Sequence, residues 1–126
     1  MSFITAAGVK GYANNVNRTA PNATVPVSYF IANGAEADID SAIGPKGLGS
    51  IVAQIPTNTA AGGNKRANNS VDLQMLRSAA SQISNGVGGV ICGGNGNTAA
   101  ENRAVVVGGL NNIAYGSGFV GGGDGN

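Results

Sequence analysis

The residues able to do chemistry are few, and their spacing argues against catalysis. Histidine is absent, which removes the commonest general base and metal ligand. The single cysteine, Cys92, lies in the apolar run Val90-Ile91-Cys92. With no activating base in reach of the sequence it reads as a small buried hydrophobe rather than a nucleophile. Asp38 and Asp40 would share one face of a strand, but two carboxylates are a thin ligand set for calcium, so they read as solvated surface. Asp124 sits in Gly121-Gly122-Gly123-Asp124-Gly125-Asn126, a run like calcium-binding nonapeptide repeats. Those need an aspartate at every turn, and the earlier turns carry Asn95-Gly96 and Leu110-Asn111. The stretches Gly44-Pro45-Lys46-Gly47-Leu48-Gly49 and Gly62-Gly63-Asn64-Lys65-Arg66 lack the spacing of a phosphate loop. The 6 carboxylates show no spacing of a paired acid and base. The expectation is a protein that is not an enzyme and has no catalytic residues, no cofactor and no metal. Matches to the glycosylation pattern at Asn17, Asn22 and Asn68 carry weight only on a secretory route.

The elements must therefore explain themselves by structure rather than by a site. The chain has 126 residues, of which 42% are hydrophobic and only 5% aromatic, with 22 glycines. Alanine and valine bury little area each, at about 25 cal/mol per Å², and glycine loses the most backbone entropy on folding. Such a chain is expected to complete its core with copies of itself or by stacking repeats. Seven basic and 6 acidic residues give a net charge of +1, scattered rather than clustered, so no nucleic acid is expected as a partner. No apolar run is long enough to span a bilayer, so no membrane insertion is expected. Met1-Ser2-Phe3-Ile4-Thr5 is no secretory signal, and a lone cysteine excludes an intramolecular disulfide; both fit synthesis in a cytoplasm.

Residues 1–23 read as an arm with at most one short strand. Residues 24–69 read as a small β domain. Val25 to Ile31 is β-branched and aromatic and ends at Asn33-Gly34, Ala37 to Ile43 alternates, and Ser50 to Pro56 is a third strand. The turn Gly44-Pro45-Lys46-Gly47 separates the last two, which predicts a small antiparallel sheet. Thr57 to Asn69 reads as a loop. Residues 70–89 form a connector. Val71, Met75, Ala79 and Ile83 fit a helix, whereas Val71, Leu73 and Met75 fit a strand; the β repeats that follow favour strand or extended structure.

Residues 90–126 repeat. Val90-Ile91-Cys92-Gly93-Gly94-Asn95-Gly96-Asn97 aligns with Val105-Val106-Val107-Gly108-Gly109-Leu110-Asn111-Asn112, at an offset of 15. Phe119-Val120-Gly121-Gly122-Gly123-Asp124-Gly125-Asn126 aligns again, at an offset of 14. This period suits one turn of a β-solenoid, with strands at the apolar triplets, glycine at tight corners and asparagines stacked in ladders. The extra residue of the first interval predicts a bulged corner near Glu101-Asn102-Arg103.

These repeats resemble the head of trimeric autotransporter adhesins, the left-handed parallel β-roll typified by the Yersinia adhesin, and the related pattern in phage tail fibres. The stretch from Asp38 to Gly49, with Gly62-Gly63-Asn64 and Ala67 to Gln74, is similar to the segment preceding such repeats in phage fibre proteins. The resemblance implies an all-β fold: a small β domain followed by left-handed parallel β-roll or β-solenoid repeats, assembled as a homotrimer. It implies a trimer core built on Val90, Val105, Val106, Phe119 and Val120.

The expected function follows from that likeness. The chain would be a structural protein of the virion. Its N-terminal part would attach a trimeric tail fibre to a tail or baseplate protein. Its repeats would begin a shaft leading, through further C-terminal chain, to a tip that binds a host cell-surface receptor. It would be made in the host cytoplasm. Two alternatives remain: a fragment of a bacterial surface adhesin, located at the cell surface, or a small-ligand or ice-binding β-solenoid. The last would need a flat face, typically of threonines, and only Thr98 stands at the relevant position.

Overall fold

A computed structural model of the chain describes residues 12–126. The part of the expected arm before Tyr12 lies outside the described residues. The chain divides into two compact units, residues 1–42 and residues 43–126.

Among its described residues the first unit contains one antiparallel pair. Strand β1 (Tyr12–Asn17) pairs with β2 (Val27–Ala32), from Tyr12 opposite Ala32 to Asn17 opposite Val27. The connection is tightened where Thr19 N donates to Asn17 Oδ1 at 2.9 Å and Asn22 N to Thr19 O at 2.7 Å. The expected strand at Ala37–Ile43 does not form. Ile39 and Ile43 are both exposed; an alternating pattern makes a strand only when a partner edge takes its backbone groups.

The second unit is a stack of coils. Strands β3 (Ile51–Val52), β4 (Val71–Asp72), β5 (Val90–Ile91), β7 (Val105–Val106) and β9 (Phe119–Val120) form one parallel sheet in that order. Strands β6 (Thr98–Ala99) and β8 (Ile113–Ala114) form a second parallel pair, extended by a bridge from Ser84 to Ala99. Bridges joining Leu76, Asn95, Leu110 and Asp124 make a third column. The expected third strand of an antiparallel sheet, Ser50 to Pro56, is thus β3, and it pairs parallel with β4. No helix forms over Ser70–Ile83, because the backbone donors there serve the next coil: Val71 N bonds Gly89 O and Leu73 N bonds Ile91 O, each at 2.9 Å.

Register pairs set the coil lengths. Ile51 lies on Val71, Val71 on Val90, Val90 on Val105, and Val105 on Phe119. The coils therefore shorten along the stack, from 20 to 19, 15 and 14 residues. The offset drops from 15 at Thr98–Ile113 to 14 at Val105–Phe119, so the additional residue falls at the predicted corner. Arg103 there has φ 62°, and Asn102 Oδ1 takes the Val87 N–H at 3.0 Å.

The core lies inside the coils of a single chain. Ile91, Ala99, Ala104, Val106 and Ala114 are buried together, with Val120 packed against them. The interior of a coil is narrow, so alanine fills it. Of the two routes to a core that the composition left open, this unit takes the stacking of repeats.

Candidate functional site

Three features of the stack are candidates for function, and each grows from a register position. The first is a polar spine. Asn112 N donates to Asn97 Oδ1, and Asn126 N to Asn112 Oδ1, each at 2.9 Å. Each amide also ties its own corner to the next coil. Asn97 Nδ2 donates to Gly93 O and Gly109 O, and Asn112 Nδ2 to Gly108 O and Gly123 O, at 3.0–3.1 Å. Gln74 is the first rung: its Oε1 accepts from Asn97 N at 2.9 Å, and its Nε2 donates to Gln82 O and Asn97 O. Gln74, Asn97 and Asn112 are fully buried. Buried amides are tolerated when every donor and acceptor is used, as they are here.

The corner beside the spine demands glycine. Gly94 and Gly109 have φ of 83° and 89°. A Cβ on Gly94 would stand 2.3 Å from Gly109 O, and one on Gly109 2.3 Å from Gly123 O. Asn111, two residues on, also takes the left-handed region, with φ 53°, as asparagine can.

The second feature is a buried charge cluster in the two long coils. Asp72 occupies the inward strand position that Ile91 and Val106 hold in later coils. Arg66 Nε meets Asp72 Oδ2 at 2.7 Å, and Arg77 Nη2 lies 3.9 Å from the same oxygen. Carbonyls of the long loops serve the guanidiniums. Arg66 Nη1 donates to Gly62 O and Asn64 O; Arg77 donates to Gln82 O, Ala61 O and Gln74 O. Burial, then the like charge of Arg66, holds Arg77 below its ordinary pKa, against the opposite pull of Asp72.

The third feature is the outer face of the large sheet. Successive strand residues point to opposite faces. Val106 is fully buried and Val120 half-buried toward the core, while Val90 and Val105 are half-buried and Phe119 is 69% exposed on the outside. Val71, Leu73, Cys92 and Val107 share that outer face with them. The result is an apolar row running from coil to coil.

The residues first weighed for chemistry are dispersed. Cys92 is an exposed free thiol rather than a buried hydrophobe, because its strand position faces outward. Asp38, Asp40 and Asp124 are exposed. Among the described residues, no three His, Cys, Asp or Glu side chains gather as a metal site, and no helix is long and apolar enough to cross a membrane. Sequence reasoning missed Arg66, Asp72, Gln74 and Arg77. The usable signal was Val71-Asp72, which continues the strand column upstream of the repeat. Comparison with family models, curated proteins and solved structures finds no match to this chain.

Proposed function

We propose that the chain is a structural module of a homotrimeric fibre of the phage tail-fibre type, acting by rigid linkage rather than by catalysis. The carrying observation is the outward apolar row Val71, Leu73, Val90, Cys92, Val105, Val107 and Phe119 on an otherwise self-sufficient stack. A contiguous exposed apolar surface is characteristic of an interaction site. Three copies turned inward on this face would bury it along a common axis. In this reading Val90, Val105 and Phe119 form the contact between chains, while Val106 and Val120 hold each protomer's own coil. The left-handed sense of the roll and its place in a virion belong to the same proposal.

The N-terminal unit supports a role in attachment. Among the described residues this unit offers a two-stranded hairpin, an element marginal in water by itself, and Val27, Phe30 and Ile31 on β2 are exposed. The proposed partner for this part is a tail or baseplate protein, with receptor binding assigned to further C-terminal chain.

Light scattering with circular dichroism tests the assembly. The expected result is a β-rich species of three chain masses. Val105→Lys combined with Val107→Lys should give a folded monomer, and a cysteine-specific bifunctional crosslinker should join wild-type chains through Cys92. A folded wild-type monomer at micromolar concentration would sink the trimer.

A further inference from the structure

An asparagine followed by glycine is prone to lose its side-chain amide, because glycine has no side chain to hinder the backbone nitrogen that attacks it. The chain contains three such pairs, Asn33-Gly34, Asn85-Gly86 and Asn95-Gly96. All three asparagines are exposed, so access to the side chain does not separate them. The glycines do. Gly86 and Gly96 are buried, whereas Gly34 is exposed.

The glycine N–H is the group that must react, and in the stack it is already spent. Gly86 N donates to Ala99 O at 3.1 Å, and Gly96 N to Leu76 O at 3.0 Å. Each asparagine is pinned on its own side as well: Asn85 N donates to Ala99 O at 2.9 Å, and Asn95 N to Gly109 O at 3.0 Å. Both glycines are also tightly packed. A Cβ on Gly86 would run into the backbone of Glu101, and one on Gly96 into Asn111 Oδ1. Freeing either peptide therefore means separating coils. Asn33-Gly34 has none of these restraints. As a turn signal it calls for a strand on each side. It follows β2, but the strand expected at Ala37–Ile43 does not form. Among the described residues, Gly34 N has no hydrogen-bond partner.

We infer that Asn33 is a site of spontaneous deamidation, and that the coil-to-coil hydrogen bonds of the stack shield Asn85 and Asn95 from the same reaction. Gly34 N attacks Asn33 Cγ, and the new C–N bond closes a succinimide ring. The side-chain nitrogen leaves as ammonia, carrying the proton from Gly34 N. Water then opens the ring at either carbonyl. Opening at Cγ leaves aspartate; opening at the main-chain carbonyl leaves isoaspartate, which adds a methylene to the main chain. Either product places a new carboxylate just beyond β2 and takes one unit from the net charge of +1. The hairpin unit thus carries a chemical clock that the stack, with the same dipeptide at its own corners, does not. The inference goes beyond the fibre reading and does not depend on it, because each reaction takes place within a single chain.

The test is a time course of the full folded chain in mildly alkaline buffer, digested under acidic conditions and mapped by tandem mass spectrometry. The expected result is conversion of Asn33 first. Asn85 and Asn95 should follow at least about ten-fold more slowly, because they react only through local opening of the stack. In denaturing urea the three rates should converge. Gly34→Ala places a Cβ against only the ends of the Glu36 and Ile39 side chains. It should slow conversion at Asn33 by about ten-fold through hindrance of the attacking nitrogen, with the other two sites unchanged. Comparable rates at all three sites in the folded chain would overturn the inference, because the stack would then shield nothing. A lead for Asn33 that persists undiminished in urea would also overturn it, because flanking sequence rather than structure would then set the order. Mapping by residue is independent of association, so a failed trimer test would leave this result standing, and the converse holds.

Discussion

The two long coils, residues 51–89, and the short coils from Val90 onward share one sheet but fill it differently. At the inward strand position the short coils place Ile91, Val106 and Val120, whereas the second long coil places Asp72. The stack accepts both because parallel pairing is made by the backbone, which is indifferent to the side chain it carries. The long coils need their extra residues for a definite purpose. Gly62, Asn64, Ala61 and Gln82 lie in the added loops, and their carbonyls receive the guanidinium N–H groups. A charged interior costs length; an aliphatic and amide interior does not, so the repeat tightens to 15 and then 14 residues. The difference also marks an end. The charge cluster and Gln74 close the spine on the N-terminal side, while Asn126 is exposed at the other.

The largest expected effect is at the charged end. Asp72→Ala leaves two buried guanidiniums without a carboxylate and should cost about 3–5 kcal/mol, whereas Ile91→Val in the next coil should cost about 1 kcal/mol. Urea denaturation measures both; equal losses would erase the distinction between the two interiors. Next comes the spine. Asn112→Ala takes the side-chain donor from Gly108 O and the acceptor from Asn126 N, and leaves Gly123 O with the Leu110 N–H alone; it should cost about 3 kcal/mol, while Asn126→Ala at the exposed end should cost under about 1 kcal/mol. A spine that works by connectivity predicts that order; one that works by composition predicts equal losses.

The corner glycines give a smaller and sharper contrast. Gly109→Ala must adopt φ 89° and meet Gly123 O, at a cost of about 2 kcal/mol or more. Its neighbour Gly108 has open space for a Cβ and no positive φ. Gly108→Ala should be neutral or stabilise by about 0.5 kcal/mol. Thermal melts of the pair suffice. The smallest effect is at Ser84, whose Oγ is buried without a partner and which pairs with Ala99 in the next coil. Ser84→Ala should stabilise by about 1 kcal/mol; a loss instead would mean that its hydroxyl is bonded in solution.

Much of the short-coil region was legible in advance. The triplets at Val90, Val105 and Phe119, the corner at Glu101–Arg103 and the asparagine ladder all follow from a period that nearly repeats. The long coils were not legible, because spacings of 20 and 19 residues hide Ile51 and Val71 from a search for a 14-residue repeat. Gln74 joins the spine across 23 residues, a separation that no local pattern announces. The alternation at Ala37–Ile43 signalled a strand that did not form, because strand formation depends on a partner edge.

The sequence by itself determined the register of the short coils. Most corners take glycine or asparagine for their backbone angle, Arg103 being an exception, and the strands of the large sheet carry apolar residues at Val90, Val105 and Phe119, so the pattern and the geometry are local and coincide. Only the tertiary structure decided which of two adjacent valines faces inward. It sent Val105 out and Val106 in, because the strand alternates while composition does not. It alone brought Arg66 and Arg77 to Asp72: both lie within a few residues of it in the chain, but the path of the long coils, and no local period, turns the two guanidiniums inward onto the carboxylate.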